Sequence, residues 1–295
     1  MMIAAVALMS RVVPRPVVAS GAAEGTPVAR PARRNRVSRP RRRSRRRRPA
    51  HVIGCRIDRL DMDGTLARCE ELIASGGPAQ HVAINAAKVV AMHKDPELRE
   101  IVKQCELVSA DGQAIVWASQ LLGDPLPARV AGIDLMHGLL GLSEQKGYRI
   151  FILGATQDVL EQALANAREL YPGARIVGAR DGYFDDDEAA EVAETIRLAS
   201  PDILFVAMPS PKKEYWLARY GRRINVPFVM GVGGSIDVLA GRTRRAPVIL
   251  QRTGLEWAYR LAQEPRRMFK RYLVGNMRFC MLVLRHFVLG RPRQA

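Results

Sequence analysis

From residue 81 onward the apolar positions repeat in a fixed rhythm, in which runs of four to six apolar residues alternate with longer stretches of apolar residues spaced three and four apart. His81-Val-Ala-Ile84 predicts a strand ending at Asn85, and residues 86–93 a helix. Asp95-Pro96 opens another helix, with proline where its missing N–H is not needed. Glu106 to Ala110 is a second strand, delivering Asp111-Gly112 into a helix over 113–121 that Gly123 closes. Further strands follow over 149–153, 174–178, 202–208 and 227–231. Helices ending at Leu170 and Ala199 lie between them, and the second starts acidic at Asp185, as the helix dipole favours. Strands apolar at nearly every position are buried on both faces. The pattern predicts an α/β fold, a Rossmann-like, mainly parallel sheet flanked by helices.

The rhythm changes near the carboxyl end. Glu256-Trp-Ala-Tyr-Arg-Leu261 reads as one helix, and Pro265 opens a second running to about residue 289, with Phe, Tyr, Met and Leu interleaved with Arg and Lys. Such a helix lies in the headgroup layer of a bilayer or packs on a core. Residues 1–50 carry no period at all. The expected organisation is therefore a disordered Arg/Pro-rich tail (1–50), an α/β domain (51–247) and a C-terminal helical, basic amphipathic appendage (248–295).

Charge sharpens this division. Residues 1–50 hold fourteen Arg against one Glu, a balance of +13 out of the formal +17, so only +4 remains for the folded part. A nucleic-acid-binding role would rest on the tail alone. The four cysteines are scattered without a C-x-x-C pair, which fits free thiols in a reducing compartment and no structural zinc. No run reaches the ~18 apolar residues of a membrane span, so membrane contact is expected to be peripheral.

Candidate chemistry gathers at strand ends, where open α/β sheets bind ligands. Asp111 is the candidate general base, with Gly112 beside it permitting close backbone approach or a positive φ. The alternative is that Asp111 only caps the helix after it. Asn85, Gly154-Ala-Thr156, Met208 to Glu214 and Gly231 to Gly234, with Asp237 beyond, complete five such ends, a set suited to a nucleotide or sugar-nucleotide cleft. Neither a G-x-G-x-x-G fingerprint nor a P-loop is present. Asp61-Met-Asp63-Gly-Thr65 looks like the signature of haloacid-dehalogenase-type phosphohydrolases, but the apolar run before it is broken by Asp58 and Arg59. A loop before a helix over 66–75, capped by Asp63 or Thr65, is the competing reading.

Taken in order, Asn85-Ala-Ala-Lys-Val-Val90, Ala110-Asp-Gly112, Arg129-Val-Ala-Gly-Ile-Asp-Leu135, Phe151-Ile-Leu-Gly154, Pro211-Lys-Lys-Glu214, Gly231-Val-Gly-Gly-Ser-Ile-Asp237 and Gly254-Leu-Glu-Trp257 resemble the WecG/TagA/CpsF family of bacterial glycosyltransferases, over roughly residues 52–272. The resemblance implies an inverting hexosyltransferase that moves an N-acetylmannosamine-type sugar from a UDP-sugar to a polyprenyl-diphosphate-linked sugar in exopolysaccharide or cell-wall polymer synthesis, without a bound metal. It implies Asp111 as the base, Asn85 and Arg129 as positioning groups, and Gly112, Gly132, Gly154, Gly231, Gly233, Lys213, Glu214 and Asp237 as cleft residues. It also implies that Arg260, Arg267 and Lys270 or Arg271 close over the diphosphate charge. The expected partners are those two substrates and an anionic membrane surface at the cytoplasmic face, with a homo-oligomer left open. Two positions depart from the family pattern: Ile84 where Thr is common, and Lys213 where Gln is common. The added cation opens the choice of donor to a uronate or a plain hexose.

Overall fold

A computed structural model of the chain describes residues 48–289 apart from Glu264. Of the expected tail at 1–50, residues 1–47 lie outside the described residues and Ala50 is in a strand rather than in a tail. The described chain is already paired at Ala50, in a short antiparallel hairpin of β1 (Ala50–Val52) and β2 (Cys55–Ile57) that the alternation did not reveal.

Six strands form one sheet, every pairing in it parallel: β3 (Ala79–Ile84), β4 (Leu107–Ala110), β5 (Arg149–Gly154), β6 (Arg175–Arg180), β7 (Ile203–Ala207) and β8 (Phe228–Gly231). Their spatial order is β4-β3-β8-β7-β5-β6. Burial alternates sides along each strand. Ile150, Ile152, Ile203 and Phe205 pack into one apolar layer, while Phe151, Leu153, Leu204 and Val206 pack into the other. This explains the uninterrupted apolar runs, since both faces are covered.

One face is covered by α1 (Met62–Ser75), α5 (Gly132–Lys146), α6 (Gln157–Leu170) and α9 (Ser235–Leu239). The other carries α2 (Ala86–Lys94), α3 (Pro96–Lys103), α4 (Gln113–Leu121), α7 (Ala189–Ala199) and α8 (Lys212–Ile224). Helix α5 escapes the sequence pattern because Gly138, Gly141 and Leu142 sit on its less buried face and blunt the contrast with the apolar face. Gly138 is required there, since a Cβ would sit 2.7 Å from the Leu66 side chain of α1.

The carboxyl segment adds α10 (Val248–Arg252), α11 (Glu256–Gln263) and α12 (Pro265–Leu289). Helix α12 runs across α2 and buries Phe279 and Val283 in the same core layer as Val89 and Val90. Part of its apolar surface is therefore core, and no described helix is long and apolar enough to cross a membrane.

The segment after β2 acts at the sheet edge. Asp58 exchanges two hydrogen bonds with Val108 of β4: its N–H donates to the Val108 carbonyl (2.9 Å), and its carboxylate accepts the Val108 N–H (2.9 Å). Asp61 caps α1 by accepting the Gly64 N–H at 2.8 Å, while Asp63 is exposed in the first turn. The cap is thus Asp61 rather than Asp63 or Thr65, and the helix starts four residues earlier than the sequence suggested. No sheet strand feeds this pair, as a phosphohydrolase nucleophile would need.

Candidate active site

All five strand ends singled out in the sequence open onto one cavity of about 1470 Å³ at the carboxyl edge of the sheet. Asn85 follows β3, Asp111 follows β4, Ala155 and Thr156 follow β5, Met208 follows β7 and Val232 follows β8. The strand order separates its two ends. The β4 and β3 side meets α2, α4 and α12, and the β7 and β5 side meets the loops around Thr156, Gly182 and Ser210.

Asp111 does not cap α4. The cap position is Gly112, which makes no side-chain cap bond. Instead the Asp111 carboxylate reaches 21 residues ahead and accepts the N–H of Gly132, the first residue of α5, at 3.0 Å. Its own N–H donates to the Ile84 carbonyl at 2.9 Å. The carboxylate is therefore held at a helix amino terminus. Gly112 has φ −134°, so a left-handed conformation is not what it supplies. A Cβ there would meet Asn85 at 3.5 Å, an ordinary contact, so the space beside Asn85 does not demand a glycine either. Asn85 caps α2, accepting the Lys88 N–H at 3.0 Å.

The glycines have separate causes. Gly154 has φ 125°, and a Cβ there would lie 2.5 Å from the Ala207 backbone, so strand packing alone demands it. At Gly231 a Cβ would fall 2.6 Å from Cε of Lys213, so this glycine makes room for that side chain. Gly233 has φ 49°, in the turn before α9 that also carries Asp237 into the cavity lining.

Sequence reasoning missed the partner of Lys213. Lys88 and Lys213 both donate to the same oxygen of Glu214, Lys213 at 2.9 Å, and all three side chains are buried against the cavity. Two ammonium groups thus share one carboxylate, and the second Glu214 oxygen has no partner among the described residues. Burial, and next the Lys88 charge, push Lys213 down to about 8 despite the pull of Glu214. Burial alone would raise the Glu214 carboxyl, but the two lysines outweigh it and hold it low. Lys88 lies one helical turn after Asn85, a spacing that could have marked it. Below the cavity His81 donates to or accepts from Ser109 at 2.8 Å, and burial followed by the Lys88 charge drives it down to about 3, so it is neutral.

Arg129 lines the cavity and pairs with Glu256 of α11 at 2.9 Å, tying the carboxyl segment to the sheet domain. Arg260, Arg267 and Arg271 belong to α11 and α12, and their side chains lie outside the described residues. The acidic run 185–188 folds as a turn ahead of α7, which starts at Ala189 rather than at Asp185, with Asp185 accepting the N–H groups of Asp187 and Glu188 at 3.1 and 2.9 Å. No cluster of three or more metal-ligating side chains occurs among the described residues.

The family model described as Glycosyl transferase WecG/TagA/CpsF family matches residues 50–293. Two relatives are each named N-acetylglucosaminyldiphosphoundecaprenol N-acetyl-beta-D-mannosaminyltransferase. The Bacillus spizizenii protein is 34% identical over 193 residues, spanning 65% of this chain and 74% of the relative. The Bacillus subtilis protein is 35% identical over 190 residues, 64% and 73% of the two chains.

Proposed function

Because the chain belongs to the WecG/TagA/CpsF family and is a glycosyltransferase, we propose that it transfers an N-acetylmannosamine-type hexose, or the corresponding uronate, from a UDP-sugar to a sugar carried on a polyprenyl diphosphate, with inversion at the anomeric carbon. The observation that carries this reading is Asp111, a carboxylate that lines the cavity beside β4 and is held by the first amide of α5.

In the reaction the acceptor hydroxyl attacks the anomeric carbon as the bond to the UDP oxygen breaks. Asp111 takes the hydroxyl proton, and its fixed orientation spares the reorganisation a mobile base would need. The leaving diphosphate gains negative charge. Arg129, the surplus cation of the Lys88–Glu214–Lys213 cluster and the arginines of α11 and α12 are the groups proposed to receive it. The same cluster supports an acidic sugar, since a net positive site without its own counter-charge favours an anionic ligand. Transfer proceeds without a metal ion in this reading.

Docking is proposed at the cytoplasmic face of the membrane. Met277, Met281 and Val288 lie one face round from the buried Phe279 and Val283 and are exposed, with Arg278 and Arg285 beside them.

Replacing Asp111 by Asn tests the base. The amide oxygen still accepts the Gly132 N–H, so the fold is retained. Turnover should fall about a hundredfold or more while UDP affinity changes by less than about twofold. Full turnover in Asp111→Asn removes the assignment.

A further inference from the structure

The cavity is larger than the roughly 300–1,000 Å³ of ordinary ligand pockets, and its surplus is apolar and lies on the β4 side. There Ala87 and Ala91 of α2, Trp117 and Leu121 of α4, and Cys280, Val283, Leu284 and Phe287 of α12 face one another. Asn276, Cys280, Val283, Leu284 and Phe287 follow the i, i+4, i+7, i+8, i+11 spacing of a single helical stripe. Met277, Met281 and Val288 lie outside the cavity on the neighbouring face of α12, which Leu284, seven residues after Met277 and four before Val288, joins to the groove stripe. The groove stripe runs from Asn276 to Phe287, twelve residues and about 16 Å of helix.

Trp117, Leu121, Leu284 and Phe287 are each more than half exposed, although they face the interior of a cleft. Large apolar side chains held apart across an open groove, and continuous with the Asp111 site, call for an apolar ligand that enters with the reacting group. A nucleotide offers no such part. The acceptors named for the two relatives do, being an aminosugar diphosphate joined to undecaprenol.

We propose that this groove between α2, α4 and α12 binds the first isoprenoid units of the acceptor lipid, so that the chain leaves the site along α12. The proposal rests on the lipid-linked acceptor of the preceding section. It assigns the lipid a protein-lined path in addition to any contact with a bilayer, and it makes acceptor recognition depend on the tail as well as the sugar.

Cys280 gives a readout that needs no turnover. It lines the groove and is exposed, whereas burial raises Cys55, Cys69 and Cys105 to about 12 and removes them from thiolate chemistry. In the full chain, farnesyl diphosphate at saturation should slow maleimide alkylation of Cys280 about tenfold, and inorganic pyrophosphate should leave it unaltered. No slowing by farnesyl diphosphate overturns the proposal. Equal slowing by phosphatidylglycerol vesicles free of polyprenol also overturns it, since the stripe would then face lipid bilayer. A second measurement uses soluble acceptors. Leu284→Glu with Phe287→Glu, both at exposed positions, should raise KM about tenfold more for a farnesyl-linked acceptor than for one carrying a methyl group instead, because the charges repel only a tail. An equal effect on both acceptors refutes the groove. If neither acceptor is turned over, the transferase reading fails, and the alkylation result still decides the groove.

Discussion

Replacing Lys213 by Met should make the protein more stable, because the buried cluster carries one ammonium more than it can neutralise. Glu214 is 1% exposed and already paired to Lys88, so it does not lose its counter-ion when Lys213 goes. The fall of Lys213 from an ordinary 10.5 to about 8 corresponds to roughly 3 kcal/mol held against folding at neutral pH, at ~1.4 kcal/mol per pH unit. Allowing for imperfect repacking of the Met chain, the gain should be about 1–3 kcal/mol, or about 3–10 °C in Tm for a domain of this size. The pH dependence has a definite sign. Between about 8 and 10.5 the unfolded chain keeps the Lys213 proton that the folded chain has shed, so this group contributes a rise of stability with pH across that window. The buried thiols of Cys55, Cys69 and Cys105, raised to about 12, act in the opposite sense above about 9, and the Lys213 rise is read as the difference between wild type and variant. In Lys213→Met this rise should vanish. Glu214→Gln is the opposite perturbation: it strands both ammonium groups and should cost about 3–5 kcal/mol at pH 7, less at pH 10. Urea denaturation of the two variants at pH 7, 8.5 and 10 measures all of this. A Lys213→Met protein less stable than wild type at pH 7, with the wild-type pH profile intact, refutes the surplus-charge argument. The same variant should bind UDP-sugar more weakly, since stability and anion binding make opposite demands on the cluster.

Asp61→Ala should lower stability by about 1 kcal/mol through loss of the α1 cap, yet leave sugar transfer intact, in EDTA as well as in magnesium buffer; transfer that stops in either case would restore a metal or phosphohydrolase chemistry. Replacing Met277, Met281 and Val288 together by Ser should reduce co-sedimentation with phosphatidylglycerol vesicles severalfold without lowering Tm, because these side chains are exposed and touch no core layer. Undiminished sedimentation would assign membrane contact elsewhere.

The sheet was legible because its inner strands are buried on both faces and write a continuous apolar run, as at Ile203 to Ala207. Helix α12 was legible to its last residue, with Pro265 at its start and aromatic and basic residues throughout. Helix α5 was not, since Gly138, Gly141 and Leu142 on its less buried face blunt the contrast with the apolar face, and Gly138 answers a contact with Leu66 that no local pattern encodes. Strand-end position alone brought Asn85, Asp111 and Gly231 to one cavity. What position could not disclose was pairing. The cap made by Asp111 on Gly132 spans 21 residues, and the Lys88–Glu214 contact spans 126. The second depends on how strands distant in the chain order themselves. The basic tail dominates the charge of the sequence, while the charge that bears on the proposed chemistry is a buried pair of lysines.

The hydrogen bonds between Asp58 and Val108 have a consequence for self-association. An outermost strand ordinarily offers a row of unpaired amides and carbonyls to any passing extended chain. On β4 that row is interrupted by Asp58, which takes both the amide and the carbonyl of a central residue for itself. The opposite margin, β6, is bent by a register shift opposite Ile150 and Phe151 and bears Arg175 and Arg180 at its two ends. Growth of the sheet by addition of a neighbour's strand is thus discouraged on both sides. Copies of this protein that meet on a crowded surface would have to associate through helices, and the sheet itself resists fibrillar stacking.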